Sequence, residues 1–183
     1  MKTLLKTEGR KASKIRKQQR KPRAYTYIFW LMLAGCWIAV IWSLSGQSYQ
    51  QQDIQPWLHR LTQQVHIGVT LPDVHLFYNG HEYSLQQRPY AFIEFVFRKT
   101  AHLFVYAVLA VLVYGGLRYK RVRVMTCIIT ALVIVVIIAS TDEYIQQFSP
   151  NRTSSIWDVG VDLIGGCCGI AIYTGIRALF TKK

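Results

Sequence analysis

Asp158 and Asp162 stand four residues apart, and Lys99, His102 and Tyr106 stand at i, i+3 and i+7. On a helix, each set shares one face. Asp142 and Glu143 lie between them in the chain, followed by Gln146 and then by Arg152 in the connection SPNRTSS. Four carboxylates facing two or three cations form a crowded, acid-rich set. Crowded carboxylates either share protons or hold a cation, and oxygen ligands of this kind suit a divalent metal. An imidazole such as His102 suits general acid or base work, while Lys99 and Arg152 suit the neutralisation of phosphate. The plainer reading is an ion-pair network that holds helices together. It would pair Lys99 with Asp158 or Asp162 and Arg152 with Glu143, while Arg98 and Asp142 snorkel to an interface.

The elements that must position these residues are apolar runs. The chain has 183 residues, a formal charge of +13 and 51% apolar residues, which excludes a disordered polycation. Tyr25 to Leu44 and Val124 to Thr141 carry no charge, Thr100 to Leu117 carries only His102, and Ile156 to Ile176 is interrupted by Asp158 and Asp162. At about 1.5 Å per residue, some 20 residues cross a hydrocarbon core of about 30 Å. Lipid requires that backbone groups be bonded within the span, so the runs read as helices. The expected fold is an all-α integral membrane protein, a bundle of four transmembrane helices with a small extracellular segment. The spans read as 25–44, 92–117, 124–143 and 156–178, in a multi-pass protein of the cell membrane. A cleaved signal peptide is the alternative for the first span, but its apolar run is too long and no small-x-small site follows.

Orientation follows from Lys and Arg. Residues 1–24 hold ten of them, 118–123 hold four and 177–183 hold three. The opposite side has Arg60, Arg88, Arg98, Lys99 and Arg152. Both termini are therefore expected in the cytoplasm, with segment 45–91 and loop 144–155 outside. The basic tail reads as a topology signal that also meets anionic lipid. It lacks the interleaved aromatics or module of a nucleic-acid binder, so no nucleic-acid partner is expected.

The outer segment reads as a short helix (PWLHRLTQQV) and then a hairpin about Asn79-Gly80. His59, His66, His75 and His81 lie there at spacings that match no zinc pattern, and read as solvated surface residues. Cys36, Cys127, Cys167 and Cys168 all fall inside spans, which leaves no extracellular disulfide framework. Cys167 and Cys168, being adjacent, point to different helix faces rather than forming a redox pair. Gly165, Gly166 and Gly169 would let a neighbouring helix approach closely. With this topology, the polar residues of three chain segments meet at one depth, the outer leaflet boundary. Ionisable groups there are site candidates by default.

The stretch TDEYIQQFSPNRTSSIWDVGVDLIGG (141–166) resembles the signature of the VanZ-like family of bacterial membrane proteins. The matching positions are Thr141, Asp142, Glu143, Gln146, Phe148, Pro150, Arg152, Asp158, Asp162 and Gly165. RKTAHLFVYAVL (98–109) resembles the family's Arg-Lys-x-x-His-Phe-x-x-Tyr helix through Arg98, Lys99, His102 and Tyr106, and Ser45-Gly46-Gln47 is similar to a weaker Ser-x-Gln element. The chain departs from the pattern at Asn151, where Gly is usual, at Ile145 in place of His, and at Val105 in place of Glu. The resemblance implies a role in the envelope of a Gram-positive bacterium, linked to resistance to teicoplanin, a lipid-tailed glycopeptide. It implies no settled biochemical activity.

Two functions of different class follow. The first is a non-enzymatic protein whose outer polar site binds a membrane lipid, a lipid-linked cell-wall precursor or teicoplanin itself. The second is an intramembrane hydrolase or transferase acting on lipid-linked envelope substrates. In that case His102, Glu143 and Asp158 are the catalytic candidates. Lys99, Tyr106, Asp142, Gln146, Arg152 and Asp162 would bind ligand, and a divalent metal would sit among Asp142, Glu143, Asp158 and Asp162. A transporter is a weaker idea, since four spans are few and no inverted repeat is visible. Oligomeric state is left open.

Overall fold

The computed structural model describes residues 24–64, 72–120, 122–148 and 155–181. The basic tail, His66 and Arg152 lie outside the described residues. Helix α1 is Ala24–Ser45, α2 Tyr49–Gln52 and α3 Gln55–Gln64. Strands β1 (His75–Tyr78) and β2 (His81–Ser84) follow, then α4 Pro89–Tyr119, α5 Val124–Gln146 and α6 Ile156–Thr181. Helices α1, α4, α5 and α6 are long and apolar enough to cross a membrane. The ends of three of them differ from the sequence reading. Helix α4 begins at Pro89, because proline at the first helical turn lacks only an N–H that would go unused there. Helix α5 runs on to Gln146 and α6 to Thr181, past the apolar runs and into polar sequence.

In a membrane the sorting of side chains differs from that in a soluble bundle. On α5 the inward stripe is Cys127, Ala131, Val135 and Ala139, each 0% exposed. The opposite stripe, Met125, Ile129, Val133 and Ile137, is at least half exposed. Both stripes are apolar, and apart from the valines, Val135 inward and Val133 outward, what separates them is size. Lipid solvates the large side chains, and small ones let helix backbones approach. The inward stripe continues through Asp142 and Gln146 without a change of direction.

Helices α4 and α6 make the most extensive contact in the bundle. Gly165 lies against the Leu103 backbone and Gly169 against Ala107, so close that a Cβ would come within 2.9 and 2.8 Å of the facing Cα atoms. The two glycines therefore meet the expectation of close approach. The same offset in both pairs makes α4 and α6 parallel, with their register fixed at two points. Helix α1 packs on α4 through Trp37, whose indole N–H donates to the Val105 carbonyl at 2.9 Å. At the far end, the Trp30 ring lies over Gly115 and Gly116.

The hairpin pairs His75 with Ser84, Leu76 with Tyr83, Phe77 with Glu82 and Tyr78 with His81. Asn79 (φ 50°) and Gly80 (φ 77°) both take the left-handed conformation that a two-residue turn of this hand requires. The four cysteines are free.

Candidate functional site

The polar site is the hairpin end of the α4–α6 seam. One turn above Gly165, the His102 Nδ1 lies 3.1 Å from Asp162 Oδ1. One further turn up, the Lys99 ammonium donates to Asp158 Oδ1. These are two rungs of one ladder, because the i, i+3 spacing on α4 meets the i, i+4 spacing on α6 in the parallel register that the glycines impose. Asp162 is fully buried, and its Oδ2 has no hydrogen-bond partner among the described residues.

Asp158 has a second donor. The Tyr78 hydroxyl reaches down from β1 to the same Oδ1. The Lys99 ammonium also sits 4.4 Å from the Tyr78 ring centre, within cation–π range. Burial, reinforced by the Asp158 charge, pushes the Tyr78 hydroxyl far above its ordinary range, so it stays a donor. Helix α3 ties in alongside: Gln55 Nε2 donates to Glu94 at 2.5 Å, and Arg98 donates to the other Glu94 oxygen at 2.7 Å. The His59 ring packs on Tyr90 in a tilted pair, centroids 3.8 Å apart. The segment between α1 and α4 thus lies down on the polar end of the bundle.

Helix α5 supplies the remaining carboxylates. Asp142 is 1% exposed and accepts from the Ser45 hydroxyl of α1 and from Gln146 Nε2 at 3.0 Å. This corrects the reading of Asp142 as a residue snorkelling to the interface, since it is a buried tie between α1 and α5. Arg98 pairs with Glu94. Glu143 Oε2 accepts the Ser155 N–H at 2.9 Å, and the Ser155 hydroxyl accepts the Trp157 N–H at 3.2 Å, so Glu143 anchors the start of α6. The expected partnership of Glu143 with Arg152 falls on a residue outside those described.

Two cavities flank this framework. One, of about 190 Å³, lies under the hairpin, between Tyr78, Tyr83, Lys99 and Asp158. The other, of about 320 Å³, lies between α1 and α4, walled by Ile41, Leu44, Ala101 and Val105 with Tyr106 and Asp142 behind. Glu94, Arg98, His102 and Gln146 line both and form the partition. Asp162 and Glu143 line neither and support the walls. The four carboxylates were candidates for holding a divalent cation in the enzyme reading, with the metal itself left open. The structure instead divides them among separate donors, and no three His, Cys, Asp or Glu side chains are placed to share a metal ion among the described residues.

A family model described as VanZ/LLP1 matches residues 29–180. The chain belongs to the VanZ/LLP1 family. No curated protein and no solved structure matches it. The VanZ/LLP1 match spans all four membrane helices and both rungs of the ladder, so this multi-pass architecture carries the site within the family region. Sequence reasoning passed over Tyr78, Gln55, Ser45 and Glu94. Ser45 had a signal in the Ser-x-Gln element, and Glu94 stood in the first turns of its span as an unassigned acid. Tyr78 and Gln55 had none, because only tertiary docking brings the outer segment to the helices.

Proposed function

We propose that this VanZ-like protein acts at the outer face of the cell membrane, with both termini cytoplasmic, and gives resistance to teicoplanin-type lipoglycopeptides. It would do so by binding a membrane lipid or lipid-linked cell-wall precursor at the polar site. The observation that carries this reading is the Lys99–Asp158 rung, which walls a cavity at the membrane boundary and is roofed by Tyr78. Paired charges sheltered from water form strong, directional contacts with a polar head group, and the fixed charges in this wall nearly balance. A balanced wall suits a neutral or zwitterionic head group better than a bare anion.

The test is growth inhibition by teicoplanin and by vancomycin in a susceptible Gram-positive host, comparing wild type, Asp158→Asn and an empty vector at matched membrane levels. Wild type is expected to protect against teicoplanin and not vancomycin. Asp158→Asn is expected to lose about tenfold of that protection, the factor carried by one charge-assisted hydrogen bond. Full protection by Asp158→Asn would sink the binding site. No protection by wild type would sink the resistance reading.

One observation favours a second reading, an intramembrane hydrolase or transferase. His102 holds Asp162 through Nδ1, and among the described residues Nε2 has no partner, while the ring lines both cavities. A carboxylate that orients an imidazole in this way prepares the other nitrogen for general-base work. A metal held by the carboxylates is not part of this reading, because their donors are divided. Altered envelope lipids in wild type, reverting in His102→Gln, would favour this reading over binding alone.

A further inference from the structure

The cavity between α1 and α4 has an apolar side and a polar side. It spans Glu94 to Tyr106 on α4, about 18 Å at the helical rise. At the hairpin end it is lined by Gln47, Gln52, Glu94 and Arg98; deeper in, Ile41, Ala101 and Val105 form an apolar side, with His102, Tyr106 and Asp142 behind them. Its rim includes Phe97, 60% exposed, and Leu44, 43% exposed, on two spanning helices where exposure means contact with lipid. Its volume of about 320 Å³ falls at the lower end of small-molecule sites, roughly 300–1,000 Å³. An opening onto the bilayer with an apolar side at Ile41, Ala101 and Val105 and polar groups along its back wall suits a membrane amphiphile, which carries both kinds of group.

We infer that this cavity is a slot for one hydrocarbon chain of a membrane-resident amphiphile, whose polar junction lies at the Glu94–Arg98–His102 partition. The inference rests on the proposed lipid-binding function and extends it. The head group passes the partition into the cavity under the hairpin, and the chain stays between α1 and α4. Trp37, bonded to the Val105 carbonyl, stiffens the deep wall. The occupant enters sideways from the leaflet, so it need not leave the membrane to bind.

The test uses the full chain reconstituted in bilayer nanodiscs without antibiotic. One arm holds palmitic acid with a mid-chain diazirine, the other a phosphatidylglycerol with the same chain. After photolysis, fragment-ion mapping compares labelling at Ala101 and Val105 with that at Phe104, which is 63% exposed on the same helix. Labelling at Ala101 and Val105 is expected. It should fall about tenfold in Ala101→Trp, the factor for about two excluded methylenes, while Phe104 labelling holds. If Ala101→Trp fails to reach the membrane, Ala101→Leu takes its place with a smaller drop. Labelling confined to Phe104, or labelling at Val105 that filling leaves unchanged, overturns the slot. Labelling by the fatty acid alone identifies a free amphiphile, and labelling in both arms identifies a bilayer lipid. The readout is independent of growth, so the slot can stand while Asp158→Asn leaves resistance intact, and it can fail while resistance still depends on Asp158.

Discussion

The α4–α6 seam has two halves with one geometry and opposite chemistry. In the deep half, Gly165 and Gly169 bring backbone against backbone at Leu103 and Ala107. In the half near the hairpin, Lys99–Asp158 and His102–Asp162 bridge the same two helices with long side chains. The deep half cannot move without losing its contacts, and that rigidity places the charged half. Two parallel helices pinned at two points leave little freedom for the next two turns. The polar rungs therefore inherit their register rather than create it, which is how a costly buried charge cluster can be held in place.

The largest expected effect would break the rigid half. Gly169→Ala puts a Cβ within 2.8 Å of the Ala107 Cα and should cost about 3 kcal/mol by overpacking. Gly175→Ala meets nothing within 4 Å and should be neutral or stabilising by up to about 1 kcal/mol. Thermal unfolding in mild detergent compares the two, and equal effects would mean that the glycine contacts do not set the register.

The next effect sharpens the contrast in the polar half. Lys99→Met leaves the Asp158 charge, on a side chain 12% exposed, with only the neutral Tyr78 hydroxyl as partner and should cost about 3 kcal/mol. Adding Asp158→Leu should recover most of that stability, though not the protection against teicoplanin. If the double variant recovers neither, the rung is scaffold in the same sense as the glycines.

The smallest effect lies in the roof. His75 sits between Glu82 at 2.5 Å and Asp73 at 2.6 Å, which hold its proton and raise its pKa, Glu82 contributing most. The folded hairpin binds this proton more tightly than the unfolded chain does. The contact therefore stabilises the hairpin fully below the ordinary imidazole pKa, and that stabilisation is lost as pH rises through the raised value. NMR titration of His75 should show the raised value, and Glu82→Gln should bring it down. An unshifted His75 would detach the hairpin from any pH response.

Much of the polar site was legible because a charge within a span is conspicuous against apolar sequence. Lys99, His102, Asp158 and Asp162 stood at helical spacings, and the alternation of spans brings their ends to one depth. What was illegible is the distribution of partners. Asp142 looked like an interface residue because it ends an apolar run, yet α5 continues past it and turns it inward toward Ser45. A hydropathy pattern shows where lipid begins but not which apolar face looks at lipid, since Ala131 and Ile129 are both apolar. The histidines of the outer segment were read as surface groups, and His59, His75 and His81 are indeed exposed. The docking of that segment through Tyr78 and Gln55 left no trace in local spacing.

The sequence alone determined four membrane helices, the Asn79-Gly80 turn and the family, because span length, left-handed turn residues and motif order are all local properties of the chain. Only the tertiary structure decided which carboxylate meets which donor, that Tyr78 roofs the site, and that one partition divides two cavities. Those outcomes depend on helix register and on contacts between residues tens of positions apart, and no local rule encodes them.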